Sequence, residues 1–124
     1  MQLGFVGTGT MGAAMAGCLI EAGHQLTVYD VRPEATAALC SRGARAADSP
    51  CAVARLSEVV FTSLPGPSEV ELAALDPSTG ILAGLQADGA LIDTTTNAPA
   101  PRLREPDRRR DAGLWRRCRG SLRR

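Results

Sequence analysis

Gly7, Gly9 and Gly12 stand in the spacing G-x-G-x-x-G, directly after the apolar run Leu3 to Val6 and before a helix-like segment that starts at Met11. Such a turn binds rather than breaks bonds. Free backbone N–H groups at the start of a helix, with the positive end of its dipole, hold phosphate. Gly7 lets the chain leave the strand sharply, and Gly9 has no Cβ to block a pyrophosphate. Gly12 lets the helix approach the sheet. Thr8, Thr10 and Met11 fill the remaining positions and belong to the same candidate cradle. The strand–turn–helix context is what makes the triplet informative in a chain with 13 glycines.

Asp30 is the second candidate. It lies eighteen positions after Gly12 at the end of an apolar strand-like run, Gln25-Leu-Thr-Val-Tyr. Dinucleotide sites place an acid there to accept from the adenosine ribose 2′-hydroxyl, which favours NAD because the same charge repels the 2′-phosphate of NADP. Arg32 argues the other way, since a guanidinium two residues on attracts that phosphate. The structural alternative is an Asp30 that only caps the turn before Pro33. The expected cofactor is NAD or NADP, with NAD favoured.

Other chemistries find little support. The four cysteines form no C-x-x-C and have no metal-like spacing to His24, the single histidine. Reduced thiols and a cytoplasmic setting are expected, and zinc is not. The apolar N-terminus lacks a basic region ahead of it, so it reads as a strand rather than a secretion signal. No run is long and apolar enough to span a bilayer.

The elements that must position these residues follow from patterning. Gln2 to Val6 reads as a buried parallel strand. A helix follows over 10–22, with Met11, Met15, Leu19 and Ala22 expected to face the sheet and Gly23 ending it. After the second strand, Pro33 and Glu34 open a helix to residue 41. A short strand at 44–47 precedes a helix capped by Ser49 and Pro50 that runs to Arg55. Residues 59–64 form a strand ending in Pro65-Gly66-Pro67, a loop at the carboxyl edge where α/β sheets bind ligands. A helix over 68–75, a turn at 76–80 and a strand at 90–93 complete the series. The alternation predicts an α/β fold, a doubly wound parallel sheet of the Rossmann type.

Charge divides the chain in two. All fourteen basic residues are arginines. Residues 1–100 carry four arginines against ten acids, a balance of −6, and residues 101–124 carry ten against three, a balance of +7. The expected organisation is therefore a nucleotide-binding domain at 1–99 and an Arg-rich tail at 100–124. Net charge over the whole chain is only +1, which gives nucleic acid no general reason to bind.

Three ordered blocks give the first 99 residues a resemblance to the β-hydroxyacid dehydrogenases. These include 3-hydroxyisobutyrate dehydrogenase and share a cofactor domain with 6-phosphogluconate dehydrogenase. The blocks are residues 4–16 around the glycine turn, Leu64-Pro65-Gly66-Pro67 with Glu69-Val70, and Asp93-Thr94-Thr95-Thr96-Asn97-Ala98-Pro99. The last is similar to the family's D-x-S-T-x-x-P, with Thr95 in the serine place. Cys18 departs from the asparagine usual in relatives. The resemblance implies hydride transfer between a short 3-hydroxy acid and a nicotinamide, with Leu64, Pro65, Thr95 and Thr96 bordering the nicotinamide half. It also implies a lysine that takes the hydroxyl proton, a D-A-P-V-S-G-G segment and an all-helical second domain. This chain has no lysine and neither of the other two. It is expected to be a truncated cofactor half, inactive alone, with the hydroxy-acid substrate and any oligomer belonging to a full-length parent. An imine reductase front half is the close enzymatic rival.

Where relatives have an Ala-rich helix and a sixth strand, this chain has Pro106 and runs of arginine. The favoured reading is out-of-frame translation from about Pro99 to Pro101. Arg-Arg-Arg read one base later gives alanines. Arg117-Cys118 encoded as CGA-TGC, and Leu122-Arg123-Arg124 encoded as CTC-CGG-CGG, contain the shifted codons for Asp-Ala and Ser-Gly-Gly. The alternatives are a solvated, disordered end, or a basic arm on a non-catalytic nucleotide-binding module.

Overall fold

Five strands pair side by side in one direction in the computed structural model, which describes residues 1–95. They are β1 (Gln2–Val6), β2 (Gln25–Tyr29), β3 (Arg45–Ala46), β4 (Val59–Thr62) and β5 (Ala90–Asp93), in the spatial order β3-β2-β1-β4-β5. Gln2 to Val6 of β1 pair in register with Gln25 to Tyr29, while Leu3 to Val6 pair with Val59 to Thr62 on the other side. The chain thus builds outward from β1 in one direction, then returns and builds in the other. The reversal opens a crevice between the carboxyl ends of β1 and β4.

Side chains alternate across each strand, and each set finds its own helices. On one face Leu3, Phe5, Leu26 and Val28 bury against Ala16 of α1 (Thr10–Glu21) and Leu39 of α2 (Ala37–Ser41). Phe5 and Phe61 stack there, with ring centroids 6.0 Å apart. On the other face Val6 and Val60 bury against Val53 and Ala54 of α3 (Pro50–Arg55) and Ile81 of α5 (Ile81–Gly84). Between them, α4 (Pro67–Leu75) follows the proline loop. Both sheet faces are covered, so the fold is α/β, a doubly wound parallel sheet of the Rossmann type.

The structure corrects several expectations. Met11 and Ala22 are exposed rather than turned to the sheet; α1 presents Gly12 and Ala16, flanked by Met15, Leu19 and Ile20. Small residues let the helix lie close, and the larger methionine is left at its open end. The helix expected at 33–41 begins as a 3₁₀ turn, Pro33–Thr36, because Ala35 N–H donates to Arg32 and the Thr36 hydroxyl donates back to the Pro33 carbonyl at 2.8 Å. β4 stops at Thr62, and α5 occupies a stretch with no expected element. Ser49 caps α3 as expected, accepting from Ala52 N–H at 3.1 Å. Thr96, the end of the third resemblance block and the Arg-rich tail lie outside the described residues.

Candidate dinucleotide site

The ends of β1, β2 and β4 converge on one groove of about 740 Å³ at the carboxyl edge of the sheet. Gly7 leaves β1 at φ +91°, in the left-handed region that disfavours a side chain. A Cβ there would also run into the Ser63 carbonyl and lie 2.8 Å from Leu64 Cδ2. Gly7 N–H donates to the Tyr29 carbonyl at 2.9 Å and ties the turn to β2. At Gly12 a Cβ would collide with the Gly7 carbonyl, so the close approach is between helix and turn as much as helix and sheet.

Gly9 differs from both. A Cβ on it meets nothing within 4 Å, because it faces the open groove. It is the N-cap of α1, in extended conformation and without a side-chain cap bond. The first backbone bond of the helix runs from Ala13 N–H to Gly9 at 2.7 Å. The N–H groups of the preceding turn are the ones a helix leaves unpartnered.

Asp30 stands at the end of β2 with its side chain 9% exposed. Its Oδ2 accepts from Thr8 N–H at 2.8 Å and from the Thr8 hydroxyl at 3.4 Å. Its Oδ1 accepts from Arg32 N–H at 2.9 Å, and the Arg32 Nε lies 3.9 Å away. That guanidinium is 64% exposed, so the ion pair is weak and the cation is free to turn toward the groove.

The opposite wall is the proline loop and α4. Leu64, Pro65, Glu69 and Leu72 line the groove, as do Asp76 and Thr79 of the turn after α4. The loop is bolted to β5. Leu64 N–H donates to the Thr95 hydroxyl at 3.0 Å, Thr95 N–H donates to Asp93 Oδ1 at 3.0 Å, and the Thr62 hydroxyl donates to the same oxygen at 2.8 Å. Partial burial pushes the Asp93 carboxyl up, but the bonds from Thr95 and Thr62 outweigh it, and the net shift is downward. Asp76 is held at about 2 by the N–H groups of Thr79 and Ser78 and by their hydroxyls.

Of the residues expected from sequence, Gly7, Gly9, Thr10, Met11, Gly12, Asp30, Arg32, Leu64 and Pro65 line this one groove. Thr8 and Thr95 sit behind it and touch it through Asp30 and Leu64. Val31, Leu72, Asp76 and Thr79, which sequence reasoning passed over, also line it, as does Glu69 of the second resemblance block. Leu72 is the one with a legible signal: it follows Glu69 by three residues, one helical turn on the same face of α4.

Sheet order, glycine turn and terminal acid of β2 together define a dinucleotide-binding domain. The sequence model of the family described as the NAD binding domain of 6-phosphogluconate dehydrogenase matches residues 2–114, and the chain belongs to that family. The match runs past residue 99, where the composition changes. A probable 3-hydroxyisobutyrate dehydrogenase-like protein of Arabidopsis thaliana is 44% identical over 99 residues, which cover 80% of this chain and 30% of the relative. The solved 3-hydroxyisobutyrate dehydrogenase of Mycobacterium tuberculosis, with L-serine, is 29% identical with a TM-score of 0.69; the similarity covers 77% of this chain and 32% of that one. A solved structure of Psf3 in complex with NADP+ and 2-OPP is 26% identical with a TM-score of 0.75, covering 96% of this chain and 39% of that one. The residues are thus similar to the NAD-binding domain of the 3-hydroxyisobutyrate dehydrogenase-like oxidoreductases, the β-hydroxyacid dehydrogenase family. The chain spans about a third of the length of these relatives.

Proposed function

We propose that the groove binds a nicotinamide dinucleotide, with the pyrophosphate over Gly9 and the N-terminus of α1 and the adenosine ribose at Asp30. The observation that carries this reading is the convergence of the left-handed Gly7 turn, the open Gly9 and the braced Asp30 carboxylate on one groove. Val31 and Leu72, both largely exposed and both lining the groove, offer apolar surface to the adenine ring. When bound, the cofactor supplies hydride transfer. The protein's part is to hold the phosphates, fix the ribose and place the nicotinamide half by Leu64, Pro65, Thr95 and Thr96.

Charge favours NAD over NADP. Among the described residues, Asp30, Glu69 and Asp76 line the groove against the guanidinium of Arg32. Three carboxylates make a poor neighbourhood for an added 2′-phosphate.

The reaction belongs to a full-length parent: oxidation of a short 3-hydroxy acid, with the hydride passing to the nicotinamide. The similarity to 3-hydroxyisobutyrate dehydrogenases supports that substrate class. In the 124-residue chain there is no lysine to take the hydroxyl proton, so it binds cofactor without turning over. We further propose the division into a nucleotide-binding domain at 1–99 and an out-of-frame tail at 100–124; resequencing the gene from the Thr96 codon tests it. The test of function is a fluorescence titration with NADH and NADPH together with a turnover assay on 3-hydroxyisobutyrate. NADH binding that saturates and is tighter than NADPH, without reduction of NAD, is the expected result. Tighter NADPH binding removes the cofactor preference, and measurable turnover removes the claim of inactivity.

A further inference from the structure

Thr8 is 3% exposed, yet it sits between two glycines of a turn that faces a groove. Its side chain does not line the groove, and its hydroxyl donates to Asp30, which does. A hydroxyl this deeply buried keeps its partner, because losing it leaves a polar group unsatisfied. Thr8 therefore supplies two donors to one carboxylate oxygen, the N–H at 2.8 Å and the hydroxyl at 3.4 Å.

A carboxylate oxygen has two lone-pair directions. Both on Oδ2 are taken by Thr8. One on Oδ1 is taken by Arg32 N–H at 2.9 Å. A single acceptor direction remains, on Oδ1, the oxygen that Arg32 Nε approaches at 3.9 Å. A carboxylate held this way accepts one ribose hydroxyl at a defined place. Held from both oxygens, it cannot swing aside to admit a phosphate.

We propose that Thr8 is a positioning residue that sets the cofactor choice of the groove through Asp30. The inference rests on the reading of the groove as a dinucleotide site. The hydroxyl's role is specific to discrimination. The pyrophosphate contacts at Gly9 and α1 are shared by NAD and NADP, and Thr8 does not touch them with its side chain.

The experiment uses the whole 124-residue chain, titrated with NADH and NADPH, as wild type and as Thr8→Val, Thr8→Ser, Asp30→Ala and the Thr8→Val/Asp30→Ala double variant. Valine keeps the shape and removes the donor. It is expected to weaken NADH binding about three- to tenfold, the size of one ordinary hydrogen bond, because the lost contact is long at 3.4 Å. NADPH binding stays within twofold, so the preference narrows. Serine keeps the donor and the wild-type ratio. In the Asp30→Ala background, Thr8→Val leaves the ratio unchanged. Equal weakening of both cofactors by Thr8→Val overturns the proposal, as does a ratio change that persists without Asp30. A folded wild type that binds neither cofactor overturns the dinucleotide reading itself, an outcome distinct from a failure seen only in the variants. If Thr8→Val does not fold, Thr8→Ala adds no bulk and carries the same comparison.

Discussion

The three glycines of the turn have three different physical requirements, and substitution separates them. Gly12 is closed by the Gly7 carbonyl, with the Phe5 ring 3.3 Å behind. Gly12→Ala therefore forces helix and turn apart and is expected to cost about 1–3 kcal/mol, read as a lowered denaturation midpoint. Gly9 has open space and an ordinary extended conformation, φ −66° and ψ −166°. Gly9→Ala is expected to leave stability unchanged to within about 0.5 kcal/mol and to weaken dinucleotide binding at least tenfold, because its methyl occupies the phosphate position. The spacing in the sequence names all three glycines as a set. It does not tell that Gly9 opens on free space while Gly7 and Gly12 are closed by the chain itself, because that depends on which atoms the fold brings opposite each Cα. The same limit applies to Met11. Its apolar character suggested a sheet-facing position, but at 66% exposure it is a wall of the groove.

At the scale of elements, the strands were the legible part. β1, β2 and β5 lie where alternating or continuous apolar runs placed them. α5 was not legible, since four residues are too few to show a helical period; the burial of Ile81 and the contact of Gly84 with the Cys51 backbone hold it in place. α3 is short and depends on its cap. Ser49→Ala removes the oxygen that Ala52 N–H donates to, with an expected loss of about 1 kcal/mol measured by chemical denaturation. The bolt between β4, β5 and the proline loop, and the turn after α4, carry a pH dependence. Both Asp93 and Asp76 have lowered folded-state pKa values, Asp76 reaching about 2 from an ordinary 3.8. The folded state therefore prefers the ionised forms. Their contribution is complete above the unfolded value and is lost as pH falls through the folded one. Stability is expected to decline from about pH 4 toward pH 2. Asp76→Asn is expected to flatten part of that decline. An unchanged acid slope in this variant would show that the Ser78 and Thr79 bonds do not act as described.

At the scale of the molecule, the chain is a nucleotide-binding fold built around a topological switch point. Position in the sheet, more than the chemistry of any one residue, makes the groove. Asp30, Gly9 and Leu64 are far apart in sequence and meet only because β2, β1 and β4 are neighbours in parallel register. Alternation of strand and helix made a doubly wound parallel sheet readable in advance, but the order of its strands, which brings Asp30 beside the glycine turn, was not. That Leu72 and Asp76 line the groove was not readable, because it depends on where the fold packs α4 and the turn after it.

The central claim, that this groove binds a nicotinamide dinucleotide, is tested most directly by calorimetric titration of NADH into the purified 124-residue chain, with Gly9→Ala run beside it. The account predicts saturable one-to-one binding by the wild type and at least tenfold weaker binding by a variant that melts at the same temperature. A wild type that is folded and binds no NADH, or a Gly9→Ala variant that binds it equally well, would contradict the account.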